Sequence, residues 1–176
     1  MKRDELEHVL RAAGAITHVT TWIVVGSQAI LGAVPNAPKE LLVSQEVDIY
    51  APGDDTASDL VDGSIGEKSP FHESFGYYAH GVGEETAILP SRWRERAVAI
   101  QTSSISGVIG LCPDPVDLAI SKLAAGGKKT QEFVRILVQH QIVSVEVIRA
   151  RLDELDEGTS MQINTRLRGL VNASQA

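Results

Sequence analysis

Cysteine is nearly absent from this 176-residue sequence, since Cys112 is the only one. A single thiol excludes a disulfide within the chain and a cysteine-rich zinc site, and we expect Cys112 to fill a small buried space at a strand end. No apolar stretch reaches the roughly 20 residues that a membrane-spanning helix needs. The polar start MKRDELEH also differs from a secretory signal peptide. These absences predict a cytoplasmic protein without a membrane partner.

Positive charge is scarce and unevenly placed. The formal net charge is −7, and residues 1–91 hold 5 Lys and Arg against 14 Asp and Glu. Such a balance disfavours nonspecific binding to nucleic acid, whose phosphates attract positive charge. The second half can still present a local basic patch, or its cations can be separate solvated charges. The residues concerned are Arg92, Arg94, Arg96, Lys122, Lys128, Lys129 and Arg135.

Internal repeats and low-complexity tracts are also absent, and the hydrophobic spacing predicts an α+β protein. Residues 1–112 are expected to form a small mixed sheet flanked by helices, and residues 113–176 a helical segment packed on it in one compact domain. Residues 66–76 are expected to be a polar loop. The predicted helices span 3–14, 27–33, 116–125, 130–141, 145–155 and 161–172, and residues 51–63 are expected to form a turn that leads into a short acidic helix. The predicted strands span 22–25, 42–51, 77–82, 97–102 and 108–111.

The first strand ends in a Gly-Ser pair, Gly26-Ser27, within WIVVGSQAILG. Backbone N–H groups at such a turn can bind a phosphate, and glycine lets the phosphate approach the backbone closely. The alternative is an ordinary turn between a strand and a helix. The residues that follow therefore decide between the two interpretations.

Two carboxylates, Glu46 and Asp48, alternate along the next predicted strand, in SQEVDIYAP. Because side chains on a strand alternate between faces, both carboxylates point the same way, opposite to Val47. Their mutual repulsion is relieved by a divalent cation, and oxygen ligands of this kind suit Mg²⁺. The alternative is the solvated face of a half-exposed strand.

Strand, Gly-Ser turn, helix and acidic strand together resemble the DNA polymerase β-like nucleotidyltransferase superfamily. Three segments are similar to a group of small bacterial nucleotidyltransferase-like proteins, and together they cover residues 22–155. That group is related to toxin–antitoxin and abortive-infection nucleotidyltransferases, some of which act on tRNA. The segments are VVGSQAILG to SQEVDIYAP, SPFHESFGYYAHGVGEETAILPSRWRER and LCPDPVDLAISKLAAGGKKTQEFVRIL.

The resemblance implies a nucleotidyltransferase fold and a role for each matching residue. Gly26 and Ser27 would bind a nucleoside triphosphate, and Glu46 and Asp48 would bind the catalytic Mg²⁺ or Mn²⁺. Lys122 would contact the triphosphate or the leaving pyrophosphate. The implied reaction moves a nucleoside monophosphate to an acceptor hydroxyl, with tRNA or a protein as acceptor and an antitoxin-type protein as partner.

The chain departs from the family pattern at several positions. The first acid is Glu46 where the superfamily more often has Asp, and the predicted strand at 97–101 carries no third carboxylate. Gly127 and Thr130 stand where the relatives usually have Arg and Asp. These departures support an alternative function, a catalytically inactive binding module that acts through a protein partner or a bound nucleotide.

Two further sets of residues have two interpretations each, and a third set can complete the metal site. The histidines His72 and His80 can serve as a general base or make structural hydrogen bonds. Trp93 can stack on a nucleic-acid base or pack on the core. The carboxylates that can supply the missing third metal ligand are Glu73, Glu84 and Glu85.

Overall fold

The computed structural model describes residues 1–173, which contain five strands and nine α-helices. Within this range, no helix combines the length and the apolar character needed to cross a membrane. The strands are β1 (Thr21–Val25), β2 (Glu46–Tyr50), β3 (Tyr78–Gly81), β4 (Val98–Ile100) and β5 (Ile109–Cys112). The helices are α1 (Arg3–Thr17), α2 (Ile30–Ala33), α3 (Asp55–Ile65), α4 (Pro70–Phe75), α5 (Trp93–Arg96), α6 (Pro115–Ala125), α7 (Lys128–Gln139), α8 (Val145–Ala150) and α9 (Glu157–Ala173).

The five strands form one mixed sheet in the order β3-β2-β1-β5-β4. β1 pairs antiparallel with β2 and parallel with β5, while β2 pairs parallel with β3. The register places Asp48 of β2 opposite Val25 on one side and His80 on the other. The predicted α+β class is confirmed, and the sheet brings together two segments more than 30 residues apart in sequence.

β1 is buried on both faces and separates two groups of apolar side chains. Trp22 and Val24 belong to the large core, which extends from Leu6 of α1 to Leu167 of α9. Ile23 and Val25 face the opposite side, where a smaller group includes Tyr50, Val82 and Trp93. Trp93 is 5% exposed, and the Arg94 guanidinium lies 4.9 Å above its ring. Trp93 therefore packs on the core and does not offer a free face to a base.

The expected polar loop at 66–76 is wrong in its second half, because Pro70–Phe75 forms α4. The Ser69 hydroxyl accepts a hydrogen bond from the His72 N–H, and Pro70 occupies the first turn, where its missing N–H costs nothing. Phe71 and Phe75 of this helix pack against the ring of His8 in α1. An aromatic contact distant in sequence thus stabilises a helix too short to be stable alone.

A buried carboxylate joins the C-terminal helices. Asp117 of α6 is completely buried and accepts hydrogen bonds from Arg96 at 3.0 and 3.1 Å and from Arg151 at 3.0 Å. The same arginines also bind Glu154 and Asp114, respectively. This group of five, the Asp117 cluster, connects α5, α6 and the segment around α8.

Cys112, at the end of β5, is fully buried as the sequence indicates. Gly32 of α2 packs directly on it, because a Cβ atom at Gly32 would lie 2.8 Å from the sulfur. Burial raises the pKa of the Cys112 thiol to about 12. The thiol is therefore protonated and unreactive in the folded protein.

Candidate metal and nucleotide site

The Gly-Ser turn lies at the end of β1 and directly contacts Asp48. Gly26 has φ +68° and ψ −164°, a backbone conformation that is essentially restricted to glycine. A Cβ atom at Gly26 would lie 2.2 Å from Asp48 Oδ2. Glycine is therefore required here for two reasons, the backbone conformation and the lack of space for a Cβ atom beside the Asp48 carboxylate.

The helix expected at 27–33 is shorter than predicted. Residues Ser27–Ala29 form a 3₁₀ turn, and only Ile30–Ala33 are α-helical. A helix of this length contributes little macrodipole, so it does not by itself attract a phosphate. A phosphate at this turn would therefore contact the backbone of Gly26 beside Asp48, without help from a helix dipole.

The two carboxylates of β2 project from one face, with the buried Val47 between them on the other. Burial, followed by repulsion from Glu46, raises the pKa of Asp48 above its ordinary value, although His80 and Lys122 oppose the shift. Glu46 is held by Tyr78, whose hydroxyl donates a hydrogen bond of 3.0 Å to Oε2. A partly buried carboxylate pair of this kind is stabilised by a cation.

His80 completes the acidic pair from the neighbouring strand β3. Its Nδ1 atom lies 3.1 Å from Asp48 Oδ1, within hydrogen-bond distance. One ligand atom from each of Glu46, Asp48 and His80 lies within 4.8 Å of the others, and among the residues described no other group of three such side chains does so. The carboxylates Glu73, Glu84 and Glu85, considered from sequence as the third ligand, are not in this group. Two carboxylates and an imidazole within this distance fit a divalent cation.

Lys122 of α6 approaches the same site from the helical part of the chain. Its side chain is half-buried, and its Nζ atom lies 5.4 Å from the centre of the Phe133 ring. Burial lowers the pKa of Lys122 below its ordinary value, and the negative charge of Asp48 opposes part of this shift. Lys122 and Ser27 line one cleft with a volume of about 630 Å³. Its other lining residues include Ser44, Lys129, Thr130 and Phe133.

The chain matches the profile of a family described as "nucleotidyltransferase of unknown function (DUF6036)" over residues 4–175. The protein belongs to this family. No curated protein and no solved structure matches the sequence. Membership confirms the nucleotidyltransferase resemblance, whereas the relation to toxin–antitoxin systems stays a prediction.

All four arginines of the predicted basic patch in this nucleotidyltransferase family member are paired with carboxylates. Arg92 binds Glu95, Arg94 binds Glu84, and Arg135 binds Glu132. Arg96 belongs to the Asp117 cluster. Each of these arginines is therefore a separate charge with its own carboxylate partner, which is closer to the second interpretation of the sequence. Lys122 and Lys129, in contrast, both face the cleft.

Gly127 and Thr130, the two positions where the family resemblance implies Arg and Asp, lie at the start of α7. Gly127 is the N-cap residue with φ +93°, and the Thr130 hydroxyl donates a hydrogen bond of 2.6 Å to the Gly126 carbonyl. Thr130 thus satisfies a backbone acceptor between α6 and α7 and adds no charge to the cleft. Lys122 and Lys129 both line the cleft, and Lys122 interacts electrostatically with Asp48.

Proposed function

We propose that this protein transfers a nucleoside monophosphate from a nucleoside triphosphate to an acceptor hydroxyl, using a divalent cation held by Glu46, Asp48 and His80. The observation that carries the proposal is the contact between Gly26 and Asp48. This contact supports a site in which the turn binds phosphate and the neighbouring carboxylate binds a metal. An ordinary strand-to-helix turn does not need such a contact.

Each residue has a distinct task in this reaction. The Gly26 backbone and the Ser27 hydroxyl bind the triphosphate, and Glu46 and Asp48 hold the cation. When bound, a divalent cation neutralises the charge on the phosphoryl oxygens and helps the attacking and leaving oxygens to align. The acceptor oxygen bonds to the α-phosphorus and releases its proton to solvent water, while the bond between the α-phosphorus and pyrophosphate breaks. Lys122 then offsets the negative charge on the departing pyrophosphate.

The acceptor and the partner follow from the resemblance alone. We propose a hydroxyl of tRNA or of a protein as acceptor, and an antitoxin-type protein as partner in the cytoplasm. The test incubates the protein and a cell extract with each labelled triphosphate in turn. The triphosphate that gives a labelled product identifies the base, and the labelled product identifies the acceptor.

The second candidate is an inactive nucleotide-binding module. It is favoured by one observation, namely that the third position beside Glu46 and Asp48 holds His80 and not a carboxylate. In superfamily members a third carboxylate usually orients the attacking hydroxyl. The two candidates differ in turnover, because the module binds triphosphate without releasing pyrophosphate in the presence of any acceptor fraction.

Replacing Asp48 with Asn is expected to abolish the dependence of triphosphate binding on divalent cation. In the native protein we expect the cation to strengthen binding by about tenfold or more, since metal and phosphate are bound together. Isothermal titration calorimetry with and without Mg²⁺ measures both affinities. Asp59→Asn is the matched control, because it makes the same charge change on the exposed face of α3.

The same variant has an expected pH signature in the absence of metal. Because the pKa of Asp48 is raised in the folded state, its protonation stabilises the fold. This contribution is complete below the ordinary value of 3.8 and is lost as the pH rises through the folded pKa. Asp48→Asn should therefore be more stable than the native protein at pH 7, and the difference should shrink on acidification.

Triphosphate binding that is indifferent to both metal and Asp48→Asn would show the proposed site to be wrong.

A further inference from the structure

The ligand set at the proposed metal site is mixed in its chemistry. Glu46 and Asp48 offer oxygen atoms, whereas His80 offers a ring nitrogen. No carboxylate of the described residues replaces His80 in this group, since every other acidic side chain lies outside it. The third ligand available to a cation here is therefore an imidazole.

The sheet fixes the positions of these three side chains. β2 and β3 pair in parallel with Glu46 opposite Tyr78 and Asp48 opposite His80. Tyr78 holds Glu46 through its hydroxyl, and His80 lies within hydrogen-bond distance of Asp48. The nitrogen donor is thus built into the backbone register and does not depend on a mobile loop.

Divalent cations differ in how they respond to a nitrogen ligand. Mg²⁺ demands oxygen ligands in a nearly ideal octahedron and gives up its water reluctantly. First-row transition ions gain affinity from imidazole, and among them Mn²⁺ also accepts carboxylate and phosphate oxygens readily. A set of two carboxylates, one imidazole and substrate phosphates therefore suits Mn²⁺ better than Mg²⁺.

We propose that the imidazole of His80 makes this site select Mn²⁺ over Mg²⁺. The proposal rests on the proposed function, because it concerns the ion held by the same carboxylates. It deepens that function by naming the ion, and it assigns a binding role to the histidine that lies beside the two carboxylates. The exposure of the His80 side chain, 49%, leaves its ring accessible to an ion from solvent.

The test measures ion binding directly and needs no turnover. Free aqueous Mn²⁺ gives a six-line electron paramagnetic resonance signal that disappears on binding, so titration of the protein yields the Mn²⁺ affinity. Competition with Mg²⁺ then yields the ratio of the two affinities. We expect native protein to bind Mn²⁺ at least about tenfold more tightly than Mg²⁺.

Two variants replace the imidazole with oxygen ligands of different reach, His80→Asp and His80→Glu. We expect the Mn²⁺ preference to fall by about tenfold in these variants, because Mg²⁺ accepts the added carboxylate while Mn²⁺ loses its nitrogen. His140→Asp is the matched control, since this exposed histidine at the end of α7 lies outside the ligand group. Circular dichroism shows that each variant is folded before its affinities are compared.

The outcomes separate the two proposals. A reduced preference in the His80 variants, or loss of Mn²⁺ binding alone, supports the assignment. A preference that is unchanged, or binding of both ions weakened equally, overturns the selectivity while the proposed function stands on its Asp48 test. Native protein that binds neither ion overturns both.

Discussion

Replacing Asp117 with alanine is expected to lower the free energy of unfolding by about 3–5 kcal/mol. Asp117 is completely buried and receives hydrogen bonds from both Arg96 and Arg151. Its removal leaves two guanidinium groups, themselves only 21% and 17% exposed, without their shared acceptor. A cavity beneath the first turn of α6 adds to the loss.

Urea denaturation followed by circular dichroism measures this effect. Asp153→Ala is the matched control, since Asp153 is exposed in the same part of the fold and its loss should change stability by less than about 0.5 kcal/mol. Asp117→Asn keeps the shape but removes the charge, and it should fall between the two. A loss below about 1 kcal/mol in Asp117→Ala would mean that Glu154 and Asp114 satisfy both arginines without it.

Replacing Gly26 with alanine should weaken cation-dependent triphosphate binding by about 100-fold, the effect that a misplacement of about 1 Å can have. The new Cβ atom would lie 2.2 Å from Asp48 Oδ2, so the carboxylate must rotate away. The rotation moves a metal ligand, and the Cβ atom also fills the space where a phosphate would approach. The positive φ of Gly26 adds a stability cost of about 1–2 kcal/mol.

Gly53→Ala separates strain from contact. Gly53 has φ +73°, close to the +68° of Gly26, but no atom lies within 4 Å of the position that a Cβ atom would take there. We therefore expect Gly53→Ala to lose stability through its positive φ and to retain triphosphate binding. Calorimetry on both variants decides the point, and equal binding by the two would exclude the turn as a phosphate site.

The sequence predicts much of the fold because the relevant signals are local. The apolar run at Trp22–Val25 indicates a strand buried on both faces, and the amphipathic spacing of α7 indicates a helix with one buried stripe. α4 carries its own signals, Ser69 as N-cap and Pro70 in the first turn. The sequence nevertheless favours a loop here, because the segment is short and polar. Its helical state depends on contacts of Phe71 and Phe75 with His8, which is distant in sequence.

The sequence likewise predicts only part of the candidate site. Glu46 and Asp48 alternate on one strand, so the sequence alone places them together. His80 reaches them only because β2 and β3 pair in parallel, and strand pairing is a property of the whole sheet. β4, the candidate strand at 97–101 that carries no third acid, lies at the opposite edge of the sheet from β3. The alternation of Tyr78 and His80 is the signal that the sequence offers, since it has the same spacing as Glu46 and Asp48.

The packing of Gly32 on Cys112 gives this protein an internal reporter of movement. A thiol-specific reagent can react with Cys112 only when α2 lifts from β5, because the sulfur is otherwise covered and protonated. α2 directly follows the Gly-Ser turn. The rate at which this single thiol is modified therefore reports how often the turn and its helix open, and a ligand that holds the turn in place will slow it without any label having to be introduced.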